Sequence, residues 1–381
     1  MKKVKWPAVA VAVGLLFSFG SRAHAAPEVK MGGVLFAQDV MTVSPRSFAG
    51  ADAKGRSAVE VTRAYLQVDV KFDEHWQTKL LLEGLTTGTA ANNVSNIVSL
   101  KGASLSYLNL MDTGINVQGG MFVSAWESFE NMFWRRYVGS AYGAANGLYN
   151  VWDKGAGVYG KLPFGYGDYS VSVVNGEGQI TQEGATGATG RQKSGVAFLS
   201  IVPIPQNDML KGLRLNAYVQ QEKQGLVSTV AGEGLLPSRE KNRLFAGASY
   251  KNSMFYTMFT YYFAPTATGT TFANNAHTRP KGYSAHGAFS GLPWDLTVFG
   301  RFDRFDAGVN QQSQANGVTL AYAPKTTGYV GIERKMNDNI RMSLVGINTH
   351  QYNKDQAGTA PNLRSSVANE TTLGLYAEAK F

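Results

Sequence analysis

Residues 63–72, RAYLQVDVKF, alternate between two kinds of side chain. The even positions are apolar and end at Phe72, whereas the odd positions include Arg63, Asp69 and Lys71. A repeat of two residues predicts a β-strand with one apolar face and one polar face.

The same alternation returns along the chain, in residues 76–83, 213–220 and 372–381 among others. Gly, Asn, Asp and Pro interrupt it about every ten residues, which predicts turns. After residue 26 no apolar run approaches the roughly 20 residues of a spanning helix. The connections alternate between short and long, and the chain ends within a strand at Phe381. These features predict a transmembrane antiparallel β-barrel over residues 26–381, with a sandwich that has one wet face as the alternative.

The N-terminus has the layout of a secretory signal peptide. Lys2, Lys3 and Lys5 precede a short apolar run, and residues 23–25 are small-x-small before Ala26. We therefore expect residues 1–25 to be a cleaved signal peptide, with an uncleaved anchor as the alternative. Cleavage reduces the 36 basic residues to 32, against 27 acidic ones, so the formal charge falls from +9 to +5.

Composition excludes several classes of site. The chain has no cysteine, which excludes disulfides, iron–sulfur clusters, thiolate zinc sites and covalent c-type haem. No Lys/Arg run indicates a nucleic-acid partner. The histidines and Gly-rich pieces form no metal-binding or phosphate-binding motif, so we expect no enzyme activity, catalytic residue, metal or cofactor.

The number of strands follows from parity, because a single-chain barrel with both ends in the periplasm has an even count. The blocks predict sixteen strands, with fourteen or eighteen as alternatives. In this count residues 317–335 form one long strand that continues through Pro324.

Several short pieces are similar to a known family of outer-membrane channels. Residues 152–160 (WDKGAGVYG) and 169–176 (YSVSVVNG) resemble a strand pair of the phosphate-selective porin O/P-type family. Residues 117–122 (VQGGMF) and 299–305 (FGRFDRF) resemble two other strands of that family. The resemblance implies a sixteen-stranded Gram-negative porin, although no lysine cluster like a phosphate-selecting site is present.

The alternation also predicts which charged side chains face the lumen, because they lie on the polar face of each strand. A barrel of this size encloses an aqueous channel. Basic residues are slightly in excess over acidic ones on the predicted inner face, and a ring of basic side chains around a pore favours the passage of anions. We therefore expect weak anion preference, with a nonselective pore as the alternative. The predicted pore-lining residues are Arg63, Lys71, Lys79, Asp153, Lys161, Arg214, Arg243, Arg301, Lys325 and Arg341.

Residues 123–149 follow the fifth predicted strand and form the third long connection. The resemblance implies that this loop folds inward and narrows the pore, and its mix of aromatic and charged residues is unlike a flexible loop. The predicted constriction residues are Glu127, Glu130, Arg135 and Arg136. A position at the membrane rim or in a subunit contact is the alternative.

Together these points predict a Gram-negative outer-membrane porin for passive diffusion of small hydrophilic solutes and ions. Its expected partners are outer-membrane lipid, lipopolysaccharide and its solutes, and the resemblance implies a homotrimer. The alternatives are a barrel that sheathes a periplasmic or electron-carrier protein, and an outer-membrane hydrolase.

Overall fold

A computed structural model describes residues 26–44, 55, 57–89, 93–176, 193–224, 239–266, 280–306, 324–352 and 367–381. Within these residues sixteen strands pair antiparallel with their neighbours in sequence, and β1 pairs with β16 to close a barrel. The strands are β1 Glu28–Ser44, β2 Ser57–Lys71, β3 Trp76–Thr89, β4 Asn93–Tyr107, β5 Ile115–Val123, β6 Trp152–Leu162, β7 Gly167–Val174, β8 Ser194–Ile201, β9 Leu213–Gln224, β10 Arg239–Lys251, β11 Phe255–Thr266, β12 Lys281–Leu292, β13 Leu296–Asp306, β14 Lys325–Lys335, β15 Ile340–Tyr352 and β16 Val367–Lys380. The predicted count of sixteen is confirmed.

The two faces of the strands differ as the alternation predicts. On β9, Leu215 and Val219 are about half exposed on the outside, whereas Tyr218 and Gln220, on either side of Val219, are buried inside. On β13, Phe302 is exposed while its neighbours Arg301 and Asp303 are buried. The outer surface is therefore apolar, and closure pairs both edges of the sheet, as a barrel in lipid requires.

The two ends of the barrel carry different connections. At one end the strands are joined by turns such as residues 72–75, 163–166, 252–254 and 336–339. Most connections at the other end are longer, and residues 124–151 form the third connection at that end along the chain. Because the strand count is even, the start of β1 and the end of β16 lie at the end with the short turns.

Gly33 and Phe381 complete the closure of the barrel at the short-turn end. The amide of Gly33 donates to the carbonyl of Phe381 at 2.8 Å, and the amide of Phe381 donates back at 3.1 Å. A Cβ at Gly33 would lie 2.2 Å from the tip of the Phe381 ring, so the terminal aromatic ring covers a position that only glycine leaves open.

The prediction of one long strand through Pro324 is wrong within the described residues. Strand β14 begins at Lys325, directly after the proline, because proline has no amide hydrogen for the ladder. Residues 317–323 lie outside the described residues, as does the expected signal peptide. In the described part of the chain, no helix has the length and apolar character needed to cross a membrane.

Candidate functional site

Residues 124–150, in the connection between β5 and β6, contain two short helices, α1 Ala125–Glu130 and α2 Tyr142–Ala145. Trp126, Phe129 and Phe133 recur at helical spacing and place their rings on one side of the segment. Trp126 packs against Phe198 of β8 and, at ring-centroid distances of 5.5 to 6.1 Å, against three further aromatic rings of the wall. Those three rings are Tyr218, Phe245 and Tyr262, on β9, β10 and β11.

The middle of the segment packs against the opposite wall. Trp134 contacts the rings of Phe299 on β13 and Tyr329 on β14, and Tyr137 contacts Phe36 on β1. One segment can reach strands on all these sides of a closed barrel only from within. Residues 124–150 therefore lie inside the barrel.

One ion pair and one arginine hydrogen bond fix this inward segment to the wall. Arg135 Nε lies 2.8 Å from Glu333 Oε2 of β14, and the side chain of each residue is less than a tenth exposed. Arg301 of β13 donates to the carbonyl of Ser140 at 2.9 Å, pairs with Asp303, and places its guanidinium 4.5 Å from the Trp134 ring centroid. The Arg135–Glu333 pair and the Arg301–Ser140 hydrogen bond both join the segment to strand residues more than 150 positions away in sequence.

Two carboxyl groups of α1 share one tyrosine. The Tyr149 hydroxyl oxygen lies 2.6 Å from Glu127 Oε2 and 2.5 Å from Glu130 Oε2, and Tyr262 also donates to Glu130. A hydroxyl carries a single proton, so one of the two short contacts to Tyr149 needs a proton from a carboxyl group. Burial raises the pKa of Glu130 to about 7, and we assign the proton to this residue.

Three cations surround the hydroxyl of Tyr65. Arg63 Nη1, Lys101 Nζ and Arg136 Nη2 lie 3.1 to 3.2 Å from this oxygen. Glu83 lies 2.5 Å from Lys101, and Glu127 lies 3.8 Å from Arg136. Three basic side chains thus face two acidic ones, and the partly exposed members are Arg63 and Arg136.

Two neighbouring cavities lie beside the inward segment. The larger has a volume of about 1020 Å³ and the smaller of about 550 Å³, and Ser128 and Met132 line both. Seven basic and three acidic residues line the larger cavity. The basic residues are Lys30, Lys79, Arg135, Arg136, Lys251, Arg341 and Lys380, and the acidic ones are Asp69, Glu333 and Glu378.

The residues nominated from the sequence fall into distinct places. Lys79, Arg135, Arg136 and Arg341 line the larger cavity, and Asp153, Lys161 and Arg214 line the smaller. Arg243 and Arg301 are buried on the inner face. Arg63 lies at Tyr65, while Lys71 and Lys325 are exposed at the ends of their strands.

Glu127 and Glu130 do not occupy the position expected for them. Each is only 2% exposed, and neither lines either cavity. They lie between α1 and the wall, where Tyr149 donates toward both carboxyl groups and Tyr262 donates to Glu130. The prediction that both carboxyl groups line the constriction therefore needs correction, although Glu127 lies 3.8 Å from Arg136.

Lys101 is the residue of this cluster that alternation misses. The pairing of β3 and β4 shifts between Leu81 and Leu82, so β4 carries an extra residue there. At such a bulge the inward parity changes, and both Lys101 and Gly102 are buried. No group of three or more His, Asp or Glu residues arranged to hold a metal occurs in the described residues.

Comparisons with known proteins identify the fold. No family model matches the sequence, and no curated protein matches it. Among solved structures, OmpT, an outer membrane protein of Vibrio cholerae in its trimer form, matches with a TM-score of 0.60 at 10% identity, over 94% of this chain and 100% of that one.

Two porin structures match to a similar degree. The anion-selective porin from Comamonas acidovorans has a TM-score of 0.59 at 11% identity, over 93% of this chain and 100% of that one. OprB of Pseudomonas putida has a TM-score of 0.60 at 10% identity, over 93% and 94% of the two chains. The chain thus has the sixteen-stranded fold of outer-membrane porins.

Proposed function

We propose that this chain is an outer-membrane porin, a passive diffusion channel for small hydrophilic solutes and ions with a weak preference for anions. The observation that carries the proposal is the position of residues 124–150, held inside the barrel by the Arg135–Glu333 pair and beside a cavity of about 1020 Å³. A segment in this position narrows a lumen and leaves part of it open. The constriction in this proposal lies where the segment faces Tyr65 and is set by Arg63 and Arg136.

The anion preference rests on charge. Basic residues outnumber acidic ones along the larger cavity and around Tyr65. Fixed positive charge at a narrow passage lowers the free-energy barrier for anions and raises it for cations. Membership of the phosphate-selective porin O/P-type family stays a prediction from the sequence.

The proposal includes location and assembly. An apolar outer face with all strands paired fits insertion in the outer membrane of a Gram-negative cell, after export through a cleaved signal peptide. Lipid and lipopolysaccharide then contact the outside. A homotrimer is the proposed assembly, since one structural neighbour is described in a trimer form.

Single-channel recording of the refolded protein in a planar bilayer tests the proposal. We expect steady conductance steps and, in a KCl gradient, a reversal potential displaced toward the chloride equilibrium potential. The absence of conductance steps would contradict the proposed channel function, provided that heat-modifiable gel mobility shows the barrel to be folded. Steps with a potassium-directed potential would contradict the anion preference.

A further inference from the structure

The smaller cavity lies between α1 and the inner face of strands β5 to β9. Its wall is built in rows, because the register of the sheet sets inward residues of adjacent strands side by side. Lys161, Asp168 and Ser200 form one row across β6, β7 and β8, at the end nearer the short turns. Tyr159, Ser170, Phe198 and Tyr218 form the next row.

The charged row has a surplus cation. Arg214 of β9 places Nη1 2.5 Å from Asp168 Oδ2 and 3.1 Å from Ser200 Oγ, so the single carboxylate of this row is bound to the arginine. Among the described residues, no carboxylate lies within 4 Å of Lys161 Nζ. The row therefore presents one ammonium group that its neighbours do not neutralise.

Aromatic and apolar side chains lie directly beside this charge. Adjacent inward rows are separated by two residues of strand, which is about 6.7 Å. Tyr159 supplies a ring from the wall, and the exposed Met132 lines the cavity from the inward segment. Phe198 and Phe129 also line it and pack on each other, with ring centroids 5.6 Å apart. The remaining charged residue of the lining, Asp153, lies eight residues from Lys161 along β6 and accepts three hydrogen bonds, from Lys154 N, Gly176 N and Asn150 Nδ2.

We propose that this cavity is a binding site for small aromatic carboxylates. The aromatic ring of the solute lies between Tyr159 and Met132, and its carboxylate is bound by Lys161. The volume of about 550 Å³ accommodates one such molecule together with water. This inference rests on the proposed function, because the solute reaches the cavity through the channel.

Benzoate is the probe for the test, with acetate and benzyl alcohol as its charged and aromatic halves. We would measure interruptions of the KCl current by each compound in single channels, and benzoate binding to the detergent-solubilised barrel by saturation-transfer NMR. Lys161→Gln removes the ammonium group proposed to bind the carboxylate of benzoate. Lys79→Gln removes a basic residue from the larger cavity and is the matched control. Both positions are exposed on strands, and heat-modifiable mobility verifies the fold of each variant.

We expect benzoate to interrupt the current while acetate and benzyl alcohol do not at the same concentration. Lys161→Gln should weaken benzoate binding at least about fivefold, as expected for loss of one charge-assisted contact, and Lys79→Gln should leave it unchanged. Equal effects of acetate and benzoate, or of benzyl alcohol and benzoate, would overturn the site. Conducting channels with no NMR binding of benzoate would overturn it while leaving the porin intact. Benzoate binding lost in Lys161→Gln, in a barrel that never conducts, would support the site and refute the channel.

Discussion

Arg135 Nε lies 2.8 Å from Glu333 Oε2, and this contact pairs the inward segment with strand β14, 198 residues later in the chain. Tyr137 donates to the same carboxylate, and the Arg135 guanidinium lies 4.2 Å from the Phe299 ring centroid. A buried pair of this kind sets position more than it adds stability, because both charges lose their hydration. We infer that the pair holds the segment in place across the lumen.

Replacing Arg135 alone should destabilise the docked segment strongly. Arg135→Ala leaves the Glu333 carboxylate buried without its cation, which costs about 3 to 5 kcal/mol. Near-UV circular dichroism during heating in detergent should show an early loss of the aromatic signal, before the barrel unfolds. The double variant R135M/E333L should recover most of the loss, because neither charge is then left alone. An R135A melting curve that overlays the wild-type curve would contradict the role of the pair.

Arg63 and Arg136 should govern ion preference, in contrast to Arg135. Both are partly exposed at Tyr65, so their charge acts on ions in water. We expect Arg63→Gln and Arg136→Gln each to lower the chloride-to-potassium permeability ratio, by about two- to fivefold, since a charge near 4 Å in water contributes about 1 kcal/mol. Reversal potentials in a KCl gradient measure this. The matched control is Lys325→Gln at the exposed end of β14, which should change the ratio little.

Glu130 should make the docking of the segment depend on pH. Its pKa of about 7 lies above the ordinary 4.5, so between these values the folded state holds a proton that the unfolded state has lost. The stabilisation is therefore complete below about pH 4.5, decreases as pH rises to about 7, and is constant above that. The total change is about 3 kcal/mol.

Glu130→Gln tests this dependence, because its neutral amide still accepts a hydrogen bond from Tyr262 and does not titrate. The temperature at which the docked segment loses its near-UV circular dichroism signal should fall for the wild type as the pH rises from 4.5 to 8.5. For the variant this temperature should stay level. Parallel curves for the two proteins would show that Glu130 does not carry the proton.

Trp126 should be the main apolar contact of the segment. It is completely buried among rings from four strands. Trp126→Ala should cost about 3 to 5 kcal/mol of docking free energy and leave the barrel itself closed. We expect larger and noisier single-channel currents, since the freed segment no longer narrows the lumen. Trp126→Phe should lie between wild type and alanine, and a quiet, unchanged current in W126A would contradict the packing argument.

The strands could be predicted from the sequence because a lipid-facing barrel imposes a period of two on every strand. Residues 63–71 show why: the apolar side chains at positions 64, 66, 68 and 70 alternate along β2 with Arg63, Gln67, Asp69 and Lys71. The start of β14 was predicted too early, because the apolar residues on both sides of Pro324 fall on even positions. Only the missing amide hydrogen marks the start of the strand.

The inner site could be predicted only in outline. Lys101 was not predicted to face the lumen, because the bulge in β4 changes which positions point inward. The alternation of apolar and polar residues does not reveal where a bulge lies. Glu127 and Glu130 carry charge and therefore indicated a water-filled passage, yet Tyr149 and Tyr262 bind them in the interior. These partners are 19 to 132 residues distant from the carboxyl groups they bind, so the sequence alone does not bring them together.

A single cysteine on the inward segment tests the central claim most directly, because the chain has no cysteine of its own. Ser128 lines both cavities, whereas Val171 is half exposed on the outer face of β7 and serves as the control. With Ser128→Cys, a sulfonatoethyl methanethiosulfonate reagent should lower the conductance in discrete steps and displace the reversal potential toward potassium. Val171→Cys should show neither change. Full, unaltered conductance after verified labelling of S128C would contradict the claim that residues 124–150 border the ion path.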